Sequence, residues 1–199
     1  KGSARLPVVS KMPTDEVPSG ERRGFLFAGR WIPNKGLRIL LKAYHRLAPN
    51  PETWPLILLG DGPLRPEVER IVKESGTKGV RLLGFVSEEQ RIRRTREAKW
   101  MVTPPHTRED LGLTPLEARS AGVPCIVSRD GGVKETGGPH ALFCEPGSVE
   151  SLEASLKKAM EMSEDVYEQM RNLAKVGLDE YVRSLDEYAE EYLNLLGKA

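Results

Sequence analysis

Cysteine and histidine are scarce in this chain: two cysteines, Cys125 and Cys144, and three histidines, His45, His106 and His140, in 199 residues. Both cysteines fall inside apolar runs, so we expect buried free thiols rather than a disulfide framework. That usage fits a cytoplasmic setting. The histidines show no metal-ligand spacing, and no Asp-x-Asp motif occurs anywhere in the sequence. No run of about 18 apolar residues is present, so no membrane-spanning helix is expected, and no signal peptide opens the chain. An excess of charge of one sign is also lacking. Thirty Lys and Arg stand against 29 Asp and Glu, a formal net charge of +1, so nothing in the balance calls for nucleic acid or another polyanion as partner. No internal repeat period is visible.

Hydrophobic residues make up 39% and charged residues 30%, the composition of a folded domain large enough for a sizeable core. Residues 1–24 are rich in proline, serine, glycine and charge and are expected to be a linker or entry segment. Short, almost wholly apolar strands are expected at 25–28, 54–59, 80–83, 100–103, 124–128 and 141–144, most of them closed by glycine or proline. Between them lie helical stripes. Apolar residues at 37, 40, 41, 44 and 47 make the first, with Tyr44 on its core side. Others are expected at 64–74 and 88–98, a short one opening near Leu113, and then 149–162, 164–182 and 185–196. Gly177 weakens the continuity of 164–182. Ser87 with Gln90 forms a capping box for the third helix, whose arginines Arg91, Arg93, Arg94 and Arg96 read as a solvated face. Arg129 to Gly132 reads as a turn.

Strand and helix alternate throughout. The fold class is therefore α/β: a Rossmann-like, doubly wound, six-stranded parallel sheet over residues 25–184, with extra C-terminal helices, of which 185–199 is set apart. The usual strand order, 3-2-1-4-5-6, makes the first and fourth strands neighbours. Ligands bind in the crevice outside their carboxyl ends. Two loops then meet there. Gly29 to Gly36 follows the first strand, and the stretch with Glu109, Gly112 and Glu117 follows the fourth.

The residue types in those loops point to one ligand chemistry. Arg30 can fork onto phosphate oxygens, and Lys35 adds a point charge. The helix opening at Leu113 offers the N–H groups of Leu113 and Thr114 and the positive end of its dipole. Helical side chains tilt toward the N-terminus, so Glu117 reaches back toward the same point. A carboxylate beside phosphate is repulsive unless it binds hydroxyls, and a sugar or ribose diol is the natural partner. The composite ligand is a diphosphate flanked by sugars. Taken singly, Arg30 is a surface arginine, Lys35 a helix-start lysine, Glu117 a helix carboxylate and Glu109 a loop residue. Their convergence on one cleft makes the functional reading.

These pieces, taken with the runs at 58–63, 82–87, 116–126, 131–135 and 145–147, resemble the C-terminal, donor-binding domain of GT-B glycosyltransferases of the retaining family 4, or group 1. The chain departs from the commonest pattern at Leu111, where phenylalanine is usual. The resemblance implies that Arg30 and Lys35 hold the donor diphosphate and stabilise the leaving nucleotide. It gives Glu109 the hydroxyls of the transferred sugar and Glu117 the ribose diol. Val86, Glu88 and Arg91 would border the nucleobase, while Gly29, Gly60, Asp61 and Gly112 would line or shape the donor cleft. The donor is expected to be a UDP-, GDP- or ADP-sugar, with no cofactor and no metal. The donor's own phosphate oxygen would help to deprotonate the acceptor, so the protein supplies mainly positioning and charge stabilisation. The family's acceptor half, for a glycan or lipid, is absent, so this domain alone is expected to be inactive and the last helix to cross toward that half. The full-length protein is expected in the cytoplasm, at the inner face of the membrane. Two alternatives stand: a standalone nucleotide-sugar-binding module or subunit, and a sugar-nucleotide epimerase of GT-B type. The Glu-x7-Glu arrangement favours transfer.

Overall fold

The structure, a computed structural model, describes residues 8–9, 17–107, 112–183 and 185–196. Its centre is β2 (Arg23–Ala28), whose apolar run is buried on both faces. Phe25 and Phe27 point into one core layer, and Leu26 and Ala28 into the other, as the two-residue period of a strand requires. β3 (Leu56–Leu59) and β5 (Ala98–Thr103) flank it, and β4 (Val80–Gly84), β6 (Cys125–Ser128) and β7 (Leu142–Cys144) complete the sheet. The order is β4-β3-β2-β5-β6-β7, with every pair parallel. In terms of the six core strands this is 3-2-1-4-5-6, the arrangement the sequence alternation implies.

Two layers of helix cover the sheet. α1 (Leu37–Leu47), α2 (Arg65–Ser75) and α6 (Val149–Met160) bury Leu40, Leu41, Tyr44, Val68, Leu152 and Leu156 against Phe25, Trp100 and Val102. On the other face α4 (Leu113–Ser120) packs Ala118 with Leu26, Met101, Val123, Cys125 and Val127. α3 (Glu88–Glu97) begins at Ser87, whose hydroxyl accepts from the Gln90 N–H at 3.2 Å. Both cysteines are buried and free.

Three elements depart from the expectations. The stretch read as a turn at 129–132 opens a short helix, α5 (Gly131–Thr136). Asp130 caps it by accepting from the Gly131 N–H at 2.8 Å, and Val133 and Thr136 are buried. Six residues are too few to display a helical period. The helix expected at 164–182 ends early: α7 covers Glu164–Ala174, a 3-10 turn Leu178–Glu180, and the strand β8 Val182–Arg183. Gly177 breaks it, taking a left-handed φ of 70°. Within the stretch read as a linker, β1 (Val8–Val9) pairs in parallel with β8. The last helix, α8, runs Leu185–Leu196.

Buried arginines hold these outer segments, and no local pattern announces them. Arg119 is 1% exposed. It donates to the carbonyls of Ala174 at 2.7 Å, Val176 at 2.7 Å and Thr136 at 2.8 Å, satisfying the ends of α7 and α5. Arg22 does the same for the end of α4, donating to Ala121 O at 2.8 Å and Gly122 O at 3.1 Å. Arg171 reaches Val17 O at 3.0 Å.

Candidate functional site

The carboxyl ends of β2, β3 and β5 are drawn together by close backbone contacts that only glycine permits. Gly36 has φ 76°, and a Cβ there would lie 1.8 Å from the Pro104 carbonyl oxygen. The loop after β2 therefore lies directly on the loop after β5. The His106 N–H, donating to Asn34 O at 3.1 Å, fastens the same two loops. Gly60 has φ 110°, and its Cβ would lie 1.9 Å from Gly29 O. Trp31 staples this second junction. Its indole is fully buried and donates to Leu59 O at 3.2 Å, while its N–H donates to Asp61 O at 2.8 Å. Trp31 was given no role in the sequence reading of this loop. A tryptophan between Arg30 and Ile32 in a loop otherwise rich in polar and turn residues was the available signal.

Between these loops and two helix starts lies a cleft of about 380 Å³. β2 contributes Ala28, and its loop Gly29 and Arg30. β3 and its turn contribute Leu59, Gly60 and Asp61. Phe85, Val86 and Arg91 come from the β4–α3 side, and Leu113, Thr114 and Glu117 from the first turns of α4. Most of the residues expected to form the site are thus gathered at the switch point. Gly112 is the N-cap of α4 and makes no side-chain cap, so the first N–H groups of the helix have no capping side chain there. A Cβ on Gly112 would meet Val133 Cγ1 at 2.7 Å, so its glycine identity lets α4 start close against α5. Lys35 ends the 3-10 turn Pro33–Lys35 beside the cleft and is not among its walls. Glu88 is not among the residues lining the cleft; its Oε1 lies 3.8 Å from Nη2 of Arg91, which is. Glu109 lies outside the described residues.

The carboxylates of the cleft are balanced by neighbouring arginines. Asp61 accepts from Arg65 Nε at 2.8 Å and Nη2 at 2.9 Å, and from the Gly62 N–H at 2.7 Å. The Arg65 fork, more than the Gly62 N–H, holds the Asp61 carboxyl below its usual range. Arg65 in turn lies over the Trp31 ring at 5.0 Å. Glu117 is half-buried and accepts from Arg91 Nη1. Burial pushes its carboxyl above the usual range, the Arg91 guanidinium opposes that shift, and Glu88 adds to it. This corrects the reading of the basic helix face as simply solvated. Arg91 bridges to α4, while Arg93 and Arg94 pair with Glu97 at 3.5 and 3.0 Å. Arg30 is exposed and, among the described residues, makes no ion pair. Phe85 escaped the sequence reading. Its ring is 87% exposed at the mouth of the cleft, one residue past the end of β4, where an apolar side chain no longer serves the core.

A doubly wound parallel sheet with such a cleft at its switch point defines a Rossmann-like domain of the GT-B type. The chain belongs to the group 1 glycosyl transferases, whose family model matches residues 10–177. It is 30% identical over 148 residues to a 2-deoxystreptamine glucosyltransferase of Streptomyces kanamyceticus, an alignment covering 73% of this chain and 38% of that protein. The chain thus spans well under half the length of that relative. Among solved structures, Alr3699/HepE of Anabaena, in complex with UDP and glucose, superimposes with a TM-score of 0.75 at 18% identity, over 91% of this chain and 50% of that one. The C-terminal domain of a group 1 family glycosyl transferase (LpcC) from Francisella tularensis superimposes with a TM-score of 0.67 at 20% identity, over 77% of this chain and 82% of that one.

Proposed function

We propose that this chain is the donor-binding half of a retaining, metal-independent glycosyltransferase that moves a hexose-type sugar from a UDP-, GDP- or ADP-sugar to a glycan or lipid acceptor held by another domain. One observation carries the reading. A single cleft at the switch point brings together an arginine with no ion pair among the described residues, a helix N-terminus that Gly112 leaves without a side-chain cap, and a half-buried carboxylate. In this reading the α4 N–H groups and Arg30 take the diphosphate, with Lys35 adding positive charge beside them. As the glycosidic bond breaks, charge builds on the leaving diphosphate. Fixed cations and amide dipoles stabilise it there without reorganising. Glu117 takes the ribose diol. Phe85 and Val86 offer the nucleobase an apolar face, since every base has a stackable surface. Glu109 would meet the sugar hydroxyls.

The chain's share of its relatives' length supports the view that it is one half of a larger enzyme. So does α8, where Leu185, Leu193 and Tyr192 are 69%, 66% and 48% exposed. An isolated donor half lacks an acceptor site and is expected to show no transfer. Titration with UDP-, GDP- and ADP-sugars, read as a thermal shift with and without EDTA, tests the donor assignment. One of the three should stabilise the fold, equally in EDTA, and Arg30→Ala and Lys35→Ala should each weaken that effect. A chain that binds none of them, or binds only with added metal, overturns the reading.

A further inference from the structure

Arg91 and Glu117 stand on different helices and meet across the cleft. Arg91 Nη1 donates to Glu117 Oε2, and Arg91 Nη2 lies 3.8 Å from Glu88 Oε1. Both partners of the bridge have side chains only 29% exposed. The guanidinium is therefore held between two carboxylates, one from the first turn of its own helix and one from α4. A planar fork so held has little rotational freedom, and neither has the carboxylate it grips.

We propose that Arg91 is a positioning residue for the donor nucleotide: it fixes the Glu117 carboxylate in the orientation that accepts two ribose hydroxyls, and so makes the cleft select ribose over deoxyribose. This rests on the donor-site reading above and adds to it the residue that sets the nucleotide's sugar selectivity. An ionised carboxylate accepts only and has about four lone-pair sites. Arg91 takes one of them, on Oε2. Among the described residues Glu117 has no other side-chain hydrogen-bond donor. Oε1 and the rest of Oε2 are left for two hydroxyl donors, the number a ribose diol supplies and a 2′-deoxyribose lacks.

The bridge also keeps the acceptor ionised. Burial favours the protonated form of Glu117, and Glu88 pushes the same way. The Arg91 guanidinium opposes both. Without it, a protonated Glu117 would carry a donor where an acceptor is needed. A direct role for Arg91 on the diphosphate is less favoured by its surroundings. Two carboxylates already face its charge, whereas Arg30, in the same cleft, has no ion-pair partner among the described residues.

The two roles separate in one experiment. Affinities for UDP, GDP and ADP, and for their 2′-deoxy forms, are measured by calorimetry on the wild-type chain and on Arg91→Met, Arg91→Lys, Glu117→Gln and the Arg91→Met/Glu117→Gln pair. The nucleotide bound most tightly is used for comparison. Arg91→Met should weaken ribonucleotide binding by about tenfold, the size of a lost charge-assisted hydrogen bond, and leave the deoxy form within about twofold. The double variant should be no worse than Glu117→Gln alone, since the two residues act as one unit. Arg91→Lys should recover part of the ribose preference. Arg91→Gln is carried alongside and read in the same way if the methionine variant does not fold. Equal losses for the ribo and deoxy forms would show Arg91 touching the ligand itself, and an unchanged ratio would show no positioning role. Either result overturns the inference while leaving the donor site standing. A wild-type chain that binds no nucleotide overturns both.

Discussion

Two glycines with the same backbone conformation and opposite surroundings allow the loop geometry to be tested quantitatively. Gly36 has φ 76° and ψ 14°, and Gly76, the C-cap of α2, has φ 61° and ψ 14°. A Cβ on Gly76 meets nothing within 4 Å, whereas one on Gly36 would lie 1.8 Å from Pro104 O and 2.8 Å from Pro104 C. Gly76→Ala therefore costs only the left-handed backbone, about 1–2 kcal/mol. For a domain of this size that is a fall in Tm of roughly 2–8 °C. Gly36→Ala carries the same conformational cost and a collision with backbone. Real Cβ atoms essentially never approach closer than 3.0 Å, so one of the two loops must retreat. Overpacking of that kind adds about 1–3 kcal/mol.

Urea melts of the two variants against the wild type measure the difference. Gly36→Ala should be the less stable by about that overpacking cost, about 1–3 kcal/mol. It should also weaken nucleotide binding, because the retreat moves the loop that carries Arg30 and Lys35. Gly76→Ala should leave binding unchanged. If Gly36→Ala proves no less stable than Gly76→Ala, the loops after β2 and β5 do not lie in contact and the switch-point geometry is wrong.

Three further outcomes are expected. Arg119→Met leaves the carbonyls of Ala174, Thr136 and Val176 without their donor. At about 1–3 kcal/mol for each unsatisfied buried group, it should lower the unfolding free energy by about 3 kcal/mol or more; an unchanged denaturation midpoint contradicts the clamp. Burial pushes the Cys125 thiol up to about 12 and the Cys144 thiol up to about 11, so both should resist a thiol reagent in the native state and react once the chain is unfolded. Rapid native labelling would place them elsewhere. Nucleotide affinity should strengthen as pH rises through the Glu117 pKa, which burial sets above its ordinary 4.5. In the same window the fold loses a little stability, because the native state binds the proton more tightly than the unfolded chain. Binding that is flat across the weakly acidic range, or a pH slope that survives Glu117→Gln, counts against Glu117 as the ribose acceptor.

The strand order was legible because most of the core strands are short apolar runs closed by glycine or proline, and the alternation leaves few topologies. The cleft followed from it: once the first and fourth strands are neighbours, Arg30, Leu113, Thr114 and Glu117 have to converge. What escaped the sequence reading depends on long-range contact. Arg22 and Arg119 look like surface charge in the sequence, yet the carbonyls they hold after α4 and at and just past the end of α7 lie 99 and 100 positions away for Arg22 and 55 and 57 for Arg119. α5 is too short for a hydrophobic period, and β1 and β8 are two residues each, visible only once paired. Arg91 was placed at the cleft, where it lies beside Val86, but its bridge to Glu117 was not legible, since a run of arginines on a helix carries no sign of which one faces a carboxylate on another helix.

Charge placement in the cleft resolves a difficulty that the sequence raises. Carboxylates beside a diphosphate should repel it, and two of them, Asp61 and Glu117, line the cavity. The structure balances each with an arginine. Arg65, from the helix after β3, forks onto Asp61, and Arg91, from the helix after β4, grips Glu117. Each arginine offsets the acid it grips, although Arg65 is shared with Glu69 and Arg91 with Glu88, so Arg30 and the start of α4 have to supply the further positive potential at the proposed diphosphate position. The two pairs are not equivalent. Asp61 already accepts three hydrogen bonds from Arg65 and the Gly62 N–H and has little left for a ligand, which suits a structural role in shaping the turn. Glu117, which lines the same cavity, accepts one such bond among the described residues and has lone pairs left for a ligand. That difference in satisfaction favours Glu117 over Asp61 as the carboxylate of the proposed ligand site. It also yields a contrast to measure: Asp61→Asn should cost stability more than nucleotide affinity, and Glu117→Gln the reverse.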